Sequence, residues 1–145
     1  MNRPVADDLL VRLKAAPRVG CSDLLDSQPL LLDPAAGHAR LRFTAGVDFC
    51  DSNGHVLGGF LAAMMDEAMA IAAVAQRHFR QAVPTLAMQL SCLRPVTPGP
   101  LLVDAWVRHS EPQLAFLRAE LRTDGGSEVC ATANATARYT QDRPL

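Results

Sequence analysis

The sequence predicts an α+β fold in which one antiparallel sheet wraps a single long central helix. Two features of the chain carry this. From Gly58 to about Arg77 there is no Gly or Pro after Gly59, and Phe60, Leu61, Met64, Met65, Met69, Ile71 and Val74 spread most of the way round a helical wheel. A helix apolar on all sides must be covered on all sides, and in a chain of 145 residues only a curled sheet can do that. The second feature is the four strand-like segments that follow, each bounded by turn residues.

Pro4 to Ala15 reads as a short amphipathic helix, with Val5, Leu9, Leu10 and Leu13 on one face and Pro17 and Gly20 ending it. Ser22-Asp23-Leu24-Leu25 is one further helical turn, and Gln28 to Gly37 is expected to be irregular. At His38 the period becomes two: Leu41 and Phe43 alternate with Arg40, Arg42 and Thr44, as in a half-buried strand. Val47 to Val56 is a loop marked by Asp51-Ser52-Asn53-Gly54. After the helix come strands at Thr85–Arg94, Leu101–His109, Leu114–Thr123 and Glu128–Tyr139. Pro95–Pro100, Glu111-Pro112 and Asp124-Gly125-Gly126 separate them, and connections this short make the last three antiparallel neighbours. In the final strand an Ala stripe (Ala131, Ala133, Ala135, Ala137) suits close approach to an Ala-rich helix. The expected organisation is a helical extension over 1–37, one domain over 38–140, and a tail over 141–145.

Composition narrows the function. The apolar fraction is 49% and the formal net charge is −1, which gives no electrostatic reason for nucleic acid or an anionic membrane as partner. The longest apolar run, Phe60 to Ala75, is broken at its centre by Asp66-Glu67 and is short for a membrane span. Cys21, Cys50, Cys92 and Cys130 are scattered, without zinc-ligand spacing. No signal-peptide pattern is read in Met1-Asn2-Arg3-Pro4, so a cytoplasmic protein with reduced thiols and no metal or cofactor is expected.

Chemistry concentrates at the helix start. Gly58-Gly59 leaves backbone N–H groups unshielded at the positive end of a helix, where they can hold an oxyanion or a carbonyl oxygen; the same pair also serves a simple tight turn. Asp66 and Glu67 follow two turns later. Carboxylates are costly on an apolar helix, and adjacent residues point about 100° apart, so at most one faces a given cleft. Thr85, at a strand start, offers a hydroxyl to a water or a carboxylate. Cys92, inside a strand, reads as core.

The run from Asn53-Gly54-His55 through Gly58-Gly59 to Asp66 resembles the hot-dog-fold acyl-CoA thioesterases related to the phenylacetate-pathway enzyme. Those have an Asn-Gly element, a His-Gly-Gly or Gln-Gly-Gly, and an acidic residue seven positions after the second glycine, where Asp66 stands. Thr85, ten residues before Pro95, takes the place of the family's Ser or Thr. Leu93-Arg94-Pro95, the Pro98-Gly99 turn and Cys130-Ala131-Thr132-Ala133 are also similar, so the resemblance covers roughly His38 to Thr140.

The resemblance implies hydrolysis of an acyl-CoA thioester, with coenzyme A as part of the substrate. Gly58 N–H would polarise the carbonyl, Asp66 would act as nucleophile or general base, and Thr85 would orient the water or the carboxylate. Asn53, Leu57 and Gly59 would border the substrate, and CoA would meet Arg94, Pro95, Val96 and Thr97 and the turn near His109 and Gln113. The site would lie across the interface of a homodimer, alone or within a homotetramer. Three departures stand out: Leu57 replaces the family's His or Gln, Ser110-Glu111-Pro112 replaces a turn that often holds Gly and a basic residue, and Asn53 lies two positions nearer the glycines. Leu57 supports an alternative, an acyl-CoA binding protein without turnover. A hydratase would need an Asp/His pair, for which His55 near Asp66 is the one candidate.

Overall fold

A computed structural model of the chain describes residues 5–142. Its order is α1 (Val5–Ala15), α2 (Cys21–Leu24), β1 (Gln28–Asp33), β2 (His38–Ala45), a 3-10 turn (Val47–Phe49), α3 (Gly58–Gln76), β3 (Thr85–Cys92), β4 (Gly99–Ser110), β5 (Leu114–Thr123) and β6 (Ala131–Arg138). The strands form one antiparallel sheet in the order β1-β2-β4-β5-β6-β3. The last three strands are antiparallel neighbours only as β4-β5-β6, and β3 sits beyond β6 at the sheet edge. This is the hot-dog arrangement, with α3 as the filling.

The stretch 28–37, expected to be irregular, contains β1, which pairs with β2. The sheet therefore starts at Gln28, inside the segment set apart as a helical extension. Pro29 hid it: a proline cannot donate to a ladder, and an edge strand with a bulge between Pro29 and Leu31 tolerates that. On β1 rests α1, with Leu9 buried and Leu10 and Leu13 packed against the core. Pro4, expected in its first turn, lies outside the described residues, as do residues 143–145 of the expected tail.

Leu61, Met64, Met65, Ala68, Met69, Ala72, Ala73 and Ala75 of α3 are buried against the sheet. Each large side chain among them contributes about 1.5–3 kcal/mol of burial. Opposite them Ala131, Ala133 and Ala137 are fully buried, so the Ala stripe is where helix and sheet close on each other. The wrap is incomplete, however. Phe60, Ala62, Ala63, Ala70, Ile71 and Val74 are only half-buried, because a single sheet covers one side of a helix and leaves its flanks to other elements. By length and composition α3 would also serve as a membrane span; here its most apolar face is filled by the sheet.

The outer sheet face is polar, as the alternation predicts, and centres on Asp104. Only 2% exposed, Asp104 takes two hydrogen bonds from Arg40, Nε at 2.9 Å and Nη2 at 3.2 Å, and sits 2.7 Å from His38 Nε2. Trp106 stacks on His38, with ring centroids 5.2 Å apart. Burial by itself would raise the Asp104 carboxyl, but the bonds from Arg40 and His38 outweigh it and hold the group below its usual range.

Candidate functional site

The loop before α3 is built to aim its first residues. Asp51 Oδ1 accepts the N–H of Asn53 at 2.8 Å and of His55 at 3.2 Å, and Asp51 N–H donates to the His55 carbonyl at 2.8 Å. Gly54, with φ of 77°, closes this turn in a conformation that side chains resist. The loop is then tied at two points: Val56 N–H donates to Val96 O at 2.7 Å and Leu57 N–H to Phe49 O at 2.8 Å. Phe49 stacks flat on Phe60, with centroids 4.1 Å apart, and clamps loop to helix. Leu57, extended and 52% exposed, stands at the N-cap without a side-chain cap bond. Gly58 N–H and Gly59 N–H have no acceptor among the described residues. They are the unclaimed donors of a helix start.

Gly58 borders an open cleft of about 360 Å³ with Leu57, Arg94, Pro95 and Val96, so five of the expected substrate and catalytic residues come together. Sequence reasoning missed two other residues there. One is Asp51, whose role is to shape the loop. The other is Cys92, expected in the core but exposed on the edge strand. A Cβ built on Gly58 would lie 3.5 Å from Cys92 Sγ. Period-two reasoning could not see that β3 is an edge with both faces largely open.

Asp66 belongs to a second cluster. Thr85 Oγ1 donates to Asp66 Oδ1 at 2.6 Å, which fixes the carboxylate on the β3 side of α3. Glu67 points elsewhere, into a cavity beside α1, as the 100° step between adjacent helical residues requires. His55 lines the Gly58 cleft, and no Asp66–His55 hydrogen bond is present among the described residues, so the hydratase pairing is absent. Asn53, Gly59 and Thr97 are exposed and outside the cleft lining. His109 and Gln113 are at the other end of β4: His109 Nε2 is 3.3 Å from Glu111 Oε1, and Gln113 O accepts Tyr139 N–H at 2.9 Å. Arg77, at the C-terminal end of α3, bonds Ser110 Oγ and Glu111 O in this same region. Within one chain, then, the expected CoA contacts at Arg94–Val96 and at His109–Gln113 are apart.

The same is true of the residues expected to be catalytic. Gly58 and Asp66 are separated by about 12 Å along the helix axis at 1.5 Å per residue. One carbonyl group cannot touch both in a single chain.

Against known families, residues 53–130 match the model of the thioesterase superfamily, more than half of the chain. The chain belongs to that superfamily. Among solved structures, a phenylacetic acid degradation-related protein of Ralstonia eutropha JMP134 is similar at 29% identity and a TM-score of 0.82, over 90% of this chain and 98% of that one. The E. coli PaaI protein from the phenylacetic acid degradation operon matches with TM-score 0.76 and 23% identity, over 84% of this chain and 85% of that one. A thioesterase of Haemophilus influenzae shares the fold at TM-score 0.80 and 15% identity, over 90% of each chain. No curated protein matches the chain. The superfamily supports thioester hydrolysis as the reaction class and a small-molecule thioester as the substrate.

Proposed function

We propose that the protein hydrolyses an acyl-CoA thioester at a site completed by two copies of the chain. The observation that carries this is the Thr85–Asp66 hydrogen bond of 2.6 Å, which holds a carboxylate in the register where the superfamily resemblance asks for one. Supporting it is the geometry of β3. Among the described residues β3 pairs only with β6, and its other edge is open, flanked by Leu86 at 58% and Leu93 at 59% exposure. An open apolar edge invites pairing with another strand. If two β3 strands pair antiparallel about Gln89, Thr85 of one copy stands within one residue of Cys92 of the other. Cys92 marks Gly58 and Thr85 marks Asp66, so each site gains its missing half.

In this reading the thioester carbonyl oxygen accepts from Gly58 N–H of one copy, and Asp66 comes from the other. Acting as general base, Asp66 takes a proton from water while the water oxygen bonds the carbonyl carbon. As nucleophile, its oxygen bonds that carbon directly and water later releases the acid. Either way the carbonyl electrons move onto an oxyanion held by the Gly58 N–H; the C–S bond then breaks with its electron pair on sulfur, which takes the proton held by Asp66 in the general-base route and one from solvent in the nucleophile route. Arg94, beside the cleft, suits the negative charge of a CoA moiety.

The test is thiol release from a panel of short, long and aromatic acyl-CoAs, with Asp66→Asn in parallel. Turnover that falls by about 10²–10⁴-fold in the variant supports the reading. Turnover unchanged by Asp66→Asn removes Asp66 from it. Tight acyl-CoA binding without turnover in the unmutated protein favours the binding-protein alternative, for which Leu57 at the N-cap is the structural motive.

A further inference from the structure

On the outer face of the sheet, away from α3, three strands leave a trough. The register puts Leu117 of β5, Ala135 of β6 and Met88 of β3 in one row, and Leu117 and Ala135 are buried toward the helix. Strand alternation turns the rows on either side outward. Phe116, Thr136 and Ala87 form one of them. Asn134 and Gln89 stand in the other, about 7 Å away, two residues along each strand. Between the rows is an open cavity of about 410 Å³. Arg108 lines it from β4, where a bulge between Val107 and His109 sets that residue opposite none of β5 and re-aims its side chain. The polar groups here are unspent. The side chains of Arg108, Gln89, Asn134 and Thr136 make no hydrogen bond or ion pair with a described group, whereas Arg40, Arg42, Arg118 and Arg122 of the same face each meet a carboxylate. Nothing in the proposed hydrolysis uses this cavity, and none of Gly58, Asp66 and Thr85 lines it.

We propose that this trough binds a free adenine mononucleotide. Four features select that chemistry. Phe116, 39% exposed, offers a ring on which a base can stack. Asn134 and Gln89, directly paired across β6 and β3, offer two side-chain amides. An amide pairs bidentately with the N6 and N7 edge of adenine, whereas the O6 and N7 edge of guanine selects a cation. Arg108 is the one charged side chain lining the cavity among the described residues, and a single guanidinium matches a single phosphate. Size selects last: a cavity of about 150 Å³ holds a benzene ring, so the trough is too large for an aromatic acid or a lone phosphate and falls in the range of small-molecule sites. The same chemistry is carried by the nucleotide end of CoA. The trough, however, opens on the face of the sheet opposite α3, whose start holds the Gly58 cleft, so the free mononucleotide is the occupant.

The probes are 5′-AMP, adenosine, inosine 5′-monophosphate, and 3′-phosphoadenosine 5′-phosphate, which is the nucleotide end of CoA. Side-chain amide resonances of Asn134 and Gln89 report the trough, and the Gly58 N–H reports the cleft at the start of α3. AMP is expected to shift the two side-chain amides and leave Gly58 unmoved. Its dissociation constant is expected to lie about tenfold below that of adenosine, as a hydrogen bond to a charged group gives, and about tenfold below that of the inosine nucleotide, which lacks the N6 donor. Arg108→Gln is expected to bring AMP and adenosine together, and Phe116→Thr, which keeps a strand-forming residue, to weaken both about tenfold. Both positions are exposed, and circular dichroism checks that each variant folds. No shift of Asn134 and Gln89 with AMP at millimolar concentration would overturn the proposal. So would equal constants for AMP, adenosine and the inosine nucleotide, or an AMP advantage over adenosine that survives Arg108→Gln. Tighter binding of 3′-phosphoadenosine 5′-phosphate than of AMP, or a Gly58 shift with the same constant, would assign the nucleotide to the thioester site instead and likewise overturn it. None of these readouts depends on thioester turnover.

Discussion

Thr85 Oγ1 lies 2.6 Å from Asp66 Oδ1 and joins the first residue of the edge strand to the middle of the central helix. The bond leaves the second carboxylate oxygen without a hydrogen-bond partner among the described residues. If the hydroxyl orients the carboxylate for catalysis, Thr85→Ala lowers kcat by ten- to a hundredfold, whereas Thr85→Ser, which keeps the oxygen, retains most of it. The stability cost of Thr85→Ala is small, about 1 kcal/mol. Steady-state kinetics beside thermal melts separate the two effects, and equal kcat for all three proteins would contradict the role.

Gly58→Ala tests the oxyanion donor. The added Cβ meets Cys92 Sγ at 3.5 Å and Leu90 Cδ2 at 3.7 Å, both ordinary contacts, so the variant folds with an unchanged or slightly raised melting temperature. The methyl group covers the approach to the N–H. Turnover is expected to fall by about 10²-fold, the scale of losing one oxyanion donor. A fully active Gly58→Ala would place the donor elsewhere.

Charges along the open edge test the shared site. Ala87 and Gln89 are exposed on β3, and an antiparallel partner strand would pass directly beside them. The double variant Ala87→Lys, Gln89→Lys sets like charges across the pair and is expected to give a monomer by light scattering, with native circular dichroism and no turnover. An active monomer, mutated or not, would rule out the two-copy site.

Two carboxylates are expected to contribute to the loss of stability in acid. Asp26 is held down to about 2, first by the hydrogen bond from Arg18 and then by that from Thr44. Asp104 is also held below its usual range, its bonds from Arg40 and His38 overcoming burial. A lowered folded-state pKa means the unfolded chain takes up these protons first, so stability is fully present above the ordinary carboxyl range near 3.8 and is lost as pH falls toward 2. Asp104→Asn, which keeps the shape and removes the charge from beside Arg40, is expected to lower the melting temperature at pH 7 and to flatten its fall in acid. Thermal melts from pH 7 to pH 2.5 check both; a variant with the same acid slope as the unmutated protein would dissociate Asp104 from it.

Much of this architecture was written in local pattern. The Gly- and Pro-free run set the span of α3 to within a residue, and the alternation of Leu41 and Phe43 with Arg40 and Arg42 set the faces of β2, because helix and strand periods are properties of consecutive side chains. Spacing from Gly58 to Asp66 and Thr85 was visible for the same reason. Other features depended on what lies beside a residue in space. Pro29 concealed β1, since only pairing with β2 shows that an edge position needs no N–H donor there. Cys92 read as core until the strand order placed β3 outermost. Helix periodicity did not tell Asp66 from Glu67, which only the family spacing separated; the direction of each is fixed by Thr85 arriving on one side of α3 and α1 on the other. The separation of Gly58 from Asp66 within a chain is likewise a consequence of helix rise. The sequence by itself thus determined most of the elements through periodicity, and the candidate residues through motif spacing and family resemblance. Only the tertiary structure decided which strand is left open and which of the two helix carboxyls is bonded, because neighbours across the sheet and helix flanks come from distant parts of the chain.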